Sequence, residues 1–239
     1  MLGCPAMITT YLPQDQFCFA WLETPEAVPG ANKAALLRGA KWASGDEITI
    51  SFLDGDPEVH ARVKDAALGW TRPGLANLHL SFLRDTNDTL VRISFQYPGS
   101  WSVIGTTCKQ IMDLTRPTMN FGWLRPESTD EAVQRVVLHE FGHALGLIHE
   151  HQHPENGIQW NREKVYADLS GPPNNWKKEK IDFNMFHAFD ASETNFGAFD
   201  DTSIMMYPFP PSWTINGYSA PLNSDLSERD RQFIRDQYP

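Results

Sequence analysis

Cysteine is scarce in this 239-residue sequence: Cys4, Cys18 and Cys108 are the only three, enough for one internal bridge with a thiol left over. A scaffold stapled by several disulfides is excluded. No apolar run approaches the roughly 20 residues a helix needs to cross a bilayer, and there is no repeat or low-complexity tract. The first residues show no basic stretch followed by a clean apolar segment, so no signal peptide is legible. Basic residues are also few: 20 Lys and Arg face 30 Asp and Glu, a formal net charge of −10. That balance speaks against nucleic acid and anionic membrane surfaces as partners and favours solubility. What is present is a chain 41% hydrophobic with eight tryptophans, long enough to bury a substantial core in one compact domain.

One run departs from this plain background: His139-Glu140-Phe141-Gly142-His143-Ala144-Leu145-Gly146-Leu147-Ile148-His149-Glu150. Residues four apart lie one above the other on a helix, so His139 and His143 aim two imidazoles at one point. Glu140 is an i,i+3 neighbour of His143, which sets its carboxylate beside that point, where a general base is wanted. Gly146 can take the left-handed conformation that ends a helix, and the chain can then return His149 as a third ligand. Three protein ligands that leave a fourth position open describe catalytic rather than structural zinc. The bland alternative is a core helix with incidental histidines. At average composition the five fixed residues recur by chance on the order of once in ten million positions. Ser128 with Glu131 reads as a capping box for this helix, with Asp130 and Glu131 near the positive end of its dipole. Val133, Val137, Phe141, Ala144, Leu145 and Ile148 recur at three- and four-residue steps as its buried stripe.

On these residues the chain resembles the metzincin peptidases, and Glu150 after the third histidine makes it most similar to their astacin group. Downstream, Phe199-Asp200-Asp201 followed by Ser203-Ile204-Met205-Met206-Tyr207 resembles that group's Met-turn, with Met206 where the family usually has histidine. The resemblance implies an α+β, zincin-like fold. Its upper half is a mixed twisted sheet with two long helices, its irregular lower half ends in a C-terminal helix, and the active-site cleft runs between them. It implies one catalytic Zn2+ held by His139, His143 and His149, with Tyr207 as a displaceable further ligand. Met205 would be the hydrophobic floor beneath the imidazoles, Gly146 the structural turn, and Glu150 an anchor for a mature N-terminus. Ordinary core filling by Met205 and Met206 and a solvated Glu150 are the alternatives. The two-bridge framework common in animal astacins cannot be built from three cysteines.

The expected activity is that of a zinc endopeptidase, with Glu140 as general base and Tyr207 stabilising the oxyanion. Its substrate is a peptide or protein, it acts as a monomer, and by resemblance it is secreted. A narrower reading is a maturation protease dedicated to one substrate. A reading from another class is a zinc-binding module without turnover, against which intact Glu140 and Tyr207 speak. Cys4 is a candidate thiolate switch for latency, thiolate being a good zinc ligand.

Residues 1–239 are expected to form a single catalytic domain, with a subdomain 1–149 holding the sheet and zinc helix and a subdomain 150–239 holding the Met-turn and final helix. Alternating or short apolar runs predict strands over Ile48–Leu53, Leu78–Phe82, Leu90–Phe95, Trp101–Ile104 and Thr118–Trp123. Helices are predicted over Pro57–Trp70, Asn161–Leu169, Trp176–Phe186 and, capped by Ser227, to Tyr238, with a short one around Lys33–Arg38. The segment Phe52–Asp56 reads as a turn. By resemblance the strand around Met119–Phe121 is the sheet edge that pairs with an extended substrate; an interior strand is the alternative. His151 and His153 read as solvent-facing loop histidines, and His60, His79 and His187 have no partner motif.

Overall fold

Six strands organise the first half of the chain: β1 (Cys18–Trp21), β3 (Glu47–Phe52), β4 (His79–Phe82), β5 (Val91–Ser94), β6 (Ser100–Val103) and β7 (Met119–Phe121). Their order in the sheet is β1-β6-β7-β5-β3-β4. The computed structural model describes residues 18–21, 36–172, 174–189 and 194–239. Strand β3 runs parallel to β4 and β5, β5 is parallel to β7, and β6 is antiparallel to β7. Strand β1 lies parallel to β6, with Cys18 opposite Ser100 and Trp21 opposite Val103. A separate two-stranded ladder pairs β2 (Leu36–Leu37) with β8 (Thr194–Asn195).

This arrangement corrects two expectations. Met119–Phe121 is interior, paired with β5 on one side and β6 on the other. The outer side of β6 is covered by β1. Burial on both faces tells a three-residue strand nothing about its lateral neighbours, so the sequence could not choose. The short helix around Lys33–Arg38 is replaced by β2 and a 3-10 turn at Arg38–Ala40, residues 33–35 lying outside the described residues.

Two long helices cover the sheet. In α1 (Pro57–Ala67), Asp56 caps the start by accepting from the Glu58 N–H, Pro57 stands where no N–H is needed, and Val59, Val63 and Ala67 turn inward. A 3-10 turn, Leu68–Thr71, then carries Trp70, whose indole N–H donates to the Leu138 carbonyl at 2.8 Å. Helix α2 (Asp130–Ala144) is capped by Thr129, not Ser128. The Thr129 hydroxyl accepts from the Ala132 N–H at 3.2 Å, while the Ser128 hydroxyl is taken by the preceding turn, accepting from the Arg125 N–H at 3.0 Å. Ile48, Ile50, Val63, Trp70, Ile93 and Phe141 lie in the resulting core, each burial being worth about 1.5–3 kcal/mol. The turn at Phe52–Asp56 is confirmed: the Asp54 carboxylate accepts from Ser94 Oγ and the Phe95 N–H, with Gly55 at φ +103°.

After α2 the chain builds a second apolar cluster from α3 (Arg162–Ser170), α4 (Lys178–Ile181) and the strandless segment around Phe209. Helix α4 widens into a π turn over Asp182–Phe186. The last helix, α5 (Glu228–Gln237), starts with the expected Ser227–Asp230 capping box and returns to the first cluster through Ile234 and Tyr238. The Tyr238 hydroxyl donates to the Leu145 carbonyl at 2.5 Å, which ties the C-terminus to the end of α2. Among the described residues no helix is long and apolar enough to cross a membrane.

Candidate metal centre

Helix α2 delivers His139 and His143 on one face, with ring centroids 4.9 Å apart. The helix ends at Ala144, and Gly146 takes φ +102°, letting its own N–H and that of Leu147 bond back to the carbonyls of His143 and Gly142. That reversal brings His149 to 4.7 Å from His143 and 5.2 Å from His139, centroid to centroid. Each helical imidazole is fixed from behind. The Nδ1–H of His139 donates to the Ile204 carbonyl at 2.7 Å, and that of His143 to the Leu147 carbonyl at 2.8 Å. A carbonyl can only accept, so Nδ1 carries the proton and Nε2 keeps its lone pair for a metal. Burial lowers the pKa of His139 to about 4, with the Arg135 charge adding to the effect, and that of His143 to about 3. Both are therefore neutral at neutral pH, the state in which imidazole binds metal.

Cys18 completes the group. One donor atom from each of Cys18, His139, His143 and His149 lies within 4.8 Å of the others, and all four residues are buried. The Cys18 sulfur is 3.4 Å from Nε2 of His143. Burial pushes the thiol pKa well up, and the neighbouring Glu140 adds to this. The candidate switch Cys4 lies outside the described residues, whereas Cys18 and Cys108 are free thiols. The missed signal was the apolar run Phe17-Cys18-Phe19-Ala20-Trp21, which reads as a strand carrying a soft ligand.

Glu140 is fully buried beside these imidazoles, and neither carboxylate oxygen has a hydrogen-bond partner of ordinary geometry. Burial raises its pKa well above the carboxylate range, Cys18 pulling slightly the other way. The Tyr207 ring stands 5.4 Å from His149, and burial raises the phenol pKa. Met205 packs under α2: a Cβ on Gly142, between the two histidines, would stand 2.3 Å from the Met205 sulfur. The segment bearing these residues is pinned at both ends. Asp230 accepts from Ser203 Oγ and the Ile204 N–H at 2.6 and 2.8 Å. The Glu150 N–H donates to the Met205 carbonyl at 2.9 Å.

Glu150 is half-buried. Its Oε1 accepts from the Asp200 N–H at 2.8 Å, burial raises its pKa to about 8, and it lines a cavity of about 250 Å3 with Phe196, Arg229 and Asp236. His151 and His153 correct the sequence reading, being 1% and 3% exposed. The Nε2–H of His151 donates to the Asn184 carbonyl and that of His153 to the Gly197 carbonyl. Their polar, proline-bounded surroundings in sequence suggested solvent; the π turn and the loop at Gly197 come from more than 30 residues away and cover them. Neither belongs to the donor group, although His151 lies 5.3 Å from the Tyr207 ring.

No family model and no curated protein matches the sequence. Among solved structures, one of myroilysin superposes with a TM-score of 0.82 at 41% identity, over 86% of this chain and 98% of that one. The chain belongs to the astacin-like zinc metallopeptidases. A crystal structure of myroilysin matches this family member over 97% of its length and 94% of the other's, at 37% identity and a TM-score of 0.68. High choriolytic enzyme 1, a hatching enzyme zinc-protease from the medaka fish Oryzias latipes, shares the astacin-like fold at a TM-score of 0.57. Its identity is 18%, over 87% of this chain and 98% of that one. Astacin-like membership makes the chain a metalloendopeptidase that acts on peptides or proteins.

Proposed function

We propose that His139, His143 and His149 hold the zinc and that Glu140 is the general base of a zinc endopeptidase. The observation that carries this reading is the fully buried Glu140 carboxylate, with no hydrogen bond of ordinary geometry to its oxygens, on the helix whose two imidazoles converge with that of His149. A buried ionisable group left unsatisfied costs several kcal/mol and marks chemistry rather than stability. Zinc bound there supplies Lewis acidity, bringing the pKa of water to about 7 and polarising a carbonyl. Glu140 accepts a proton from the attacking water as its oxygen bonds to the scissile carbonyl carbon. The same carboxyl then gives that proton to the leaving amine as the C–N bond breaks. The Tyr207 hydroxyl donates to the developing oxyanion. Met205 serves as the Met-turn floor of a metzincin, fixing the imidazoles from beneath through the open face of Gly142. Glu150 and its cavity suit the anchoring of a mature N-terminus.

The described form is the silent one. Strand β1 occupies the outer side of β6, where an extended substrate would pair. Cys18 from the same strand adds a fourth donor to the three histidines and would hold zinc with them, where a working site leaves a position open. Residues 1–239 act as one catalytic domain of a secreted monomer, divided at the cleft into 1–149 and 150–239; the net charge of −10 supports solubility. The test is digestion of an unfolded protein by the wild type, by Cys18→Ala and by Cys18→Ala with Glu140→Ala, zinc content being measured in each. Cleavage is expected from the single variant alone. Equal cleavage by the double variant would overturn the role of Glu140, and equal cleavage by the wild type the role of Cys18.

A further inference from the structure

Two of the three imidazoles are tied from behind to a backbone carbonyl, His139 to that of Ile204 and His143 to that of Leu147. His149 is held differently, for no hydrogen bond of ordinary geometry reaches either of its ring nitrogens. The ring of His151 stacks on it at 5.2 Å and 23°. The Gln152 N–H donates to the His149 carbonyl at 3.0 Å, and the Gln152 residue is 2% exposed. Both neighbours are anchored in one place. The last carbonyls of a helix have no partner within it, and two from the π turn Asp182–Phe186 are taken up here. The Phe183 carbonyl accepts from Gln152 Nε2 at 2.8 Å, and the Asn184 carbonyl from the Nε2–H of His151 at 2.8 Å.

We infer that Gln152 is the positioning residue of the third ligand, its side-chain carbonyl accepting from the His149 ring N–H that is turned away from the metal. The inference rests on the zinc site proposed above. A backbone carbonyl can only accept, so the Phe183 bond fixes which end of the Gln152 amide is NH2 and leaves Oε1 to accept elsewhere. Gln152 follows His149 by three residues across the 3-10 turn Glu150–Gln152, and in such a turn side chains at i and i+3 eclipse. Burial lowers the His149 pKa well below the usual imidazole range and the neighbouring histidines add to this. The Gln152 side chain pulls the other way, as an acceptor on a ring N–H does. An imidazole that ligates through one nitrogen needs the N–H of the other answered, which fixes its tautomer and direction and makes it a more basic ligand. For His139 and His143 the backbone supplies that acceptor. For His149 it is an amide side chain braced by a π turn, an element that recurs at functional sites.

The experiment is a measurement of zinc affinity by competition with a chelator, on the full chain carrying Cys18→Ala, with Gln152 intact or replaced as Gln152→Leu or Gln152→Glu. Both substitutions remove the donor to Phe183, but the glutamate keeps an acceptor for His149. Gln152→Leu should weaken zinc binding by about 10- to 100-fold, the usual cost of losing such a partner, while Gln152→Glu should retain most of the affinity. Equal weakening by both would mean that Gln152 only braces the Phe183 turn, and unchanged affinity in Gln152→Leu that His149 does not need it; either result overturns the inference. If Gln152→Leu does not fold, the histidine nitrogen-15 spectrum of the zinc-loaded Cys18→Ala protein still decides. The His149 ring N–H should then resonate downfield with those of His139 and His143, and a signal at the position of an exposed imidazole overturns the inference. All these results leave the zinc site standing, whereas failure of the Cys18→Ala protein to bind zinc overturns that site and the inference with it.

Discussion

Glu140 and Glu150 are ten residues apart in sequence, one fully buried and the other half-buried, and the fold treats them in opposite ways. Glu140 shares a small cavity with His139 and Cys18, and its oxygens make no hydrogen bond of ordinary geometry, the Cys18 thiol being a close neighbour. Glu150 accepts from the Asp200 N–H and borders a cavity about six times larger than the one at Glu140, 250 against 40 Å3. The difference teaches how to tell a reacting group from a positioning one. A fold left to minimise its free energy satisfies buried polar groups, so the carboxylate held without a hydrogen bond of ordinary geometry is the candidate reacting group. The carboxylate of Glu150 links two chain segments instead, joining the residue after His149 to the segment that carries Met205 and Tyr207.

The comparison is most sharply tested at Glu140. In the Cys18→Ala background, Glu140→Gln should lower kcat by about 10^3-fold, within the range of a lost general base. Zinc content should hold, and the thermal midpoint should stay level or rise because a buried carboxylate has been neutralised. A large fall in the midpoint would mean that Glu140 is structural after all. Next in size is Asp230, which holds the Ser203 hydroxyl and the Ile204 and Ser227 amides. Asp230→Ala leaves those donors buried and should cost about 3 kcal/mol in a urea titration. Tyr207→Phe should cost about 100-fold in kcat with KM little moved, as for one oxyanion donor. An equal loss on kcat and a gain in KM would assign the hydroxyl to substrate binding. Glu150→Gln keeps an acceptor for the Asp200 N–H and should change stability by about 1 kcal/mol or less and cleavage by no more than about threefold. Should it match Glu140→Gln in lost turnover, the distinction between the two carboxylates collapses.

Much of the centre was legible in the sequence because its geometry is local. Histidines four apart on one helix, and a glycine three residues after the second of them, need no tertiary information to converge. The Ser227–Asp230 cap was readable for the same reason. The cap of α2 was misplaced by one residue, since two adjacent hydroxyl residues offer the same chemistry and the turn before the helix decides which is free. His151 and His153 were misread because their burial depends on carbonyls 33 and 44 residues away.

By itself, then, the sequence determined the helix that presents His139 and His143, the place of Glu140 on it and, with the Ser203–Tyr207 segment, the family to which the chain belongs, because each motif is written in spacings shorter than about two helical turns. Only the tertiary structure decided which strand lies on the outer side of β6, that Cys18 joins the three histidines, and that Arg135 lines the pocket beside them. Those facts depend on a strand pairing across 82 residues, Cys18 with Ser100, and on a pocket wall closed by residues from both ends of the chain. Contacts of that range arise from packing rather than from periodicity, and no local spacing encodes them.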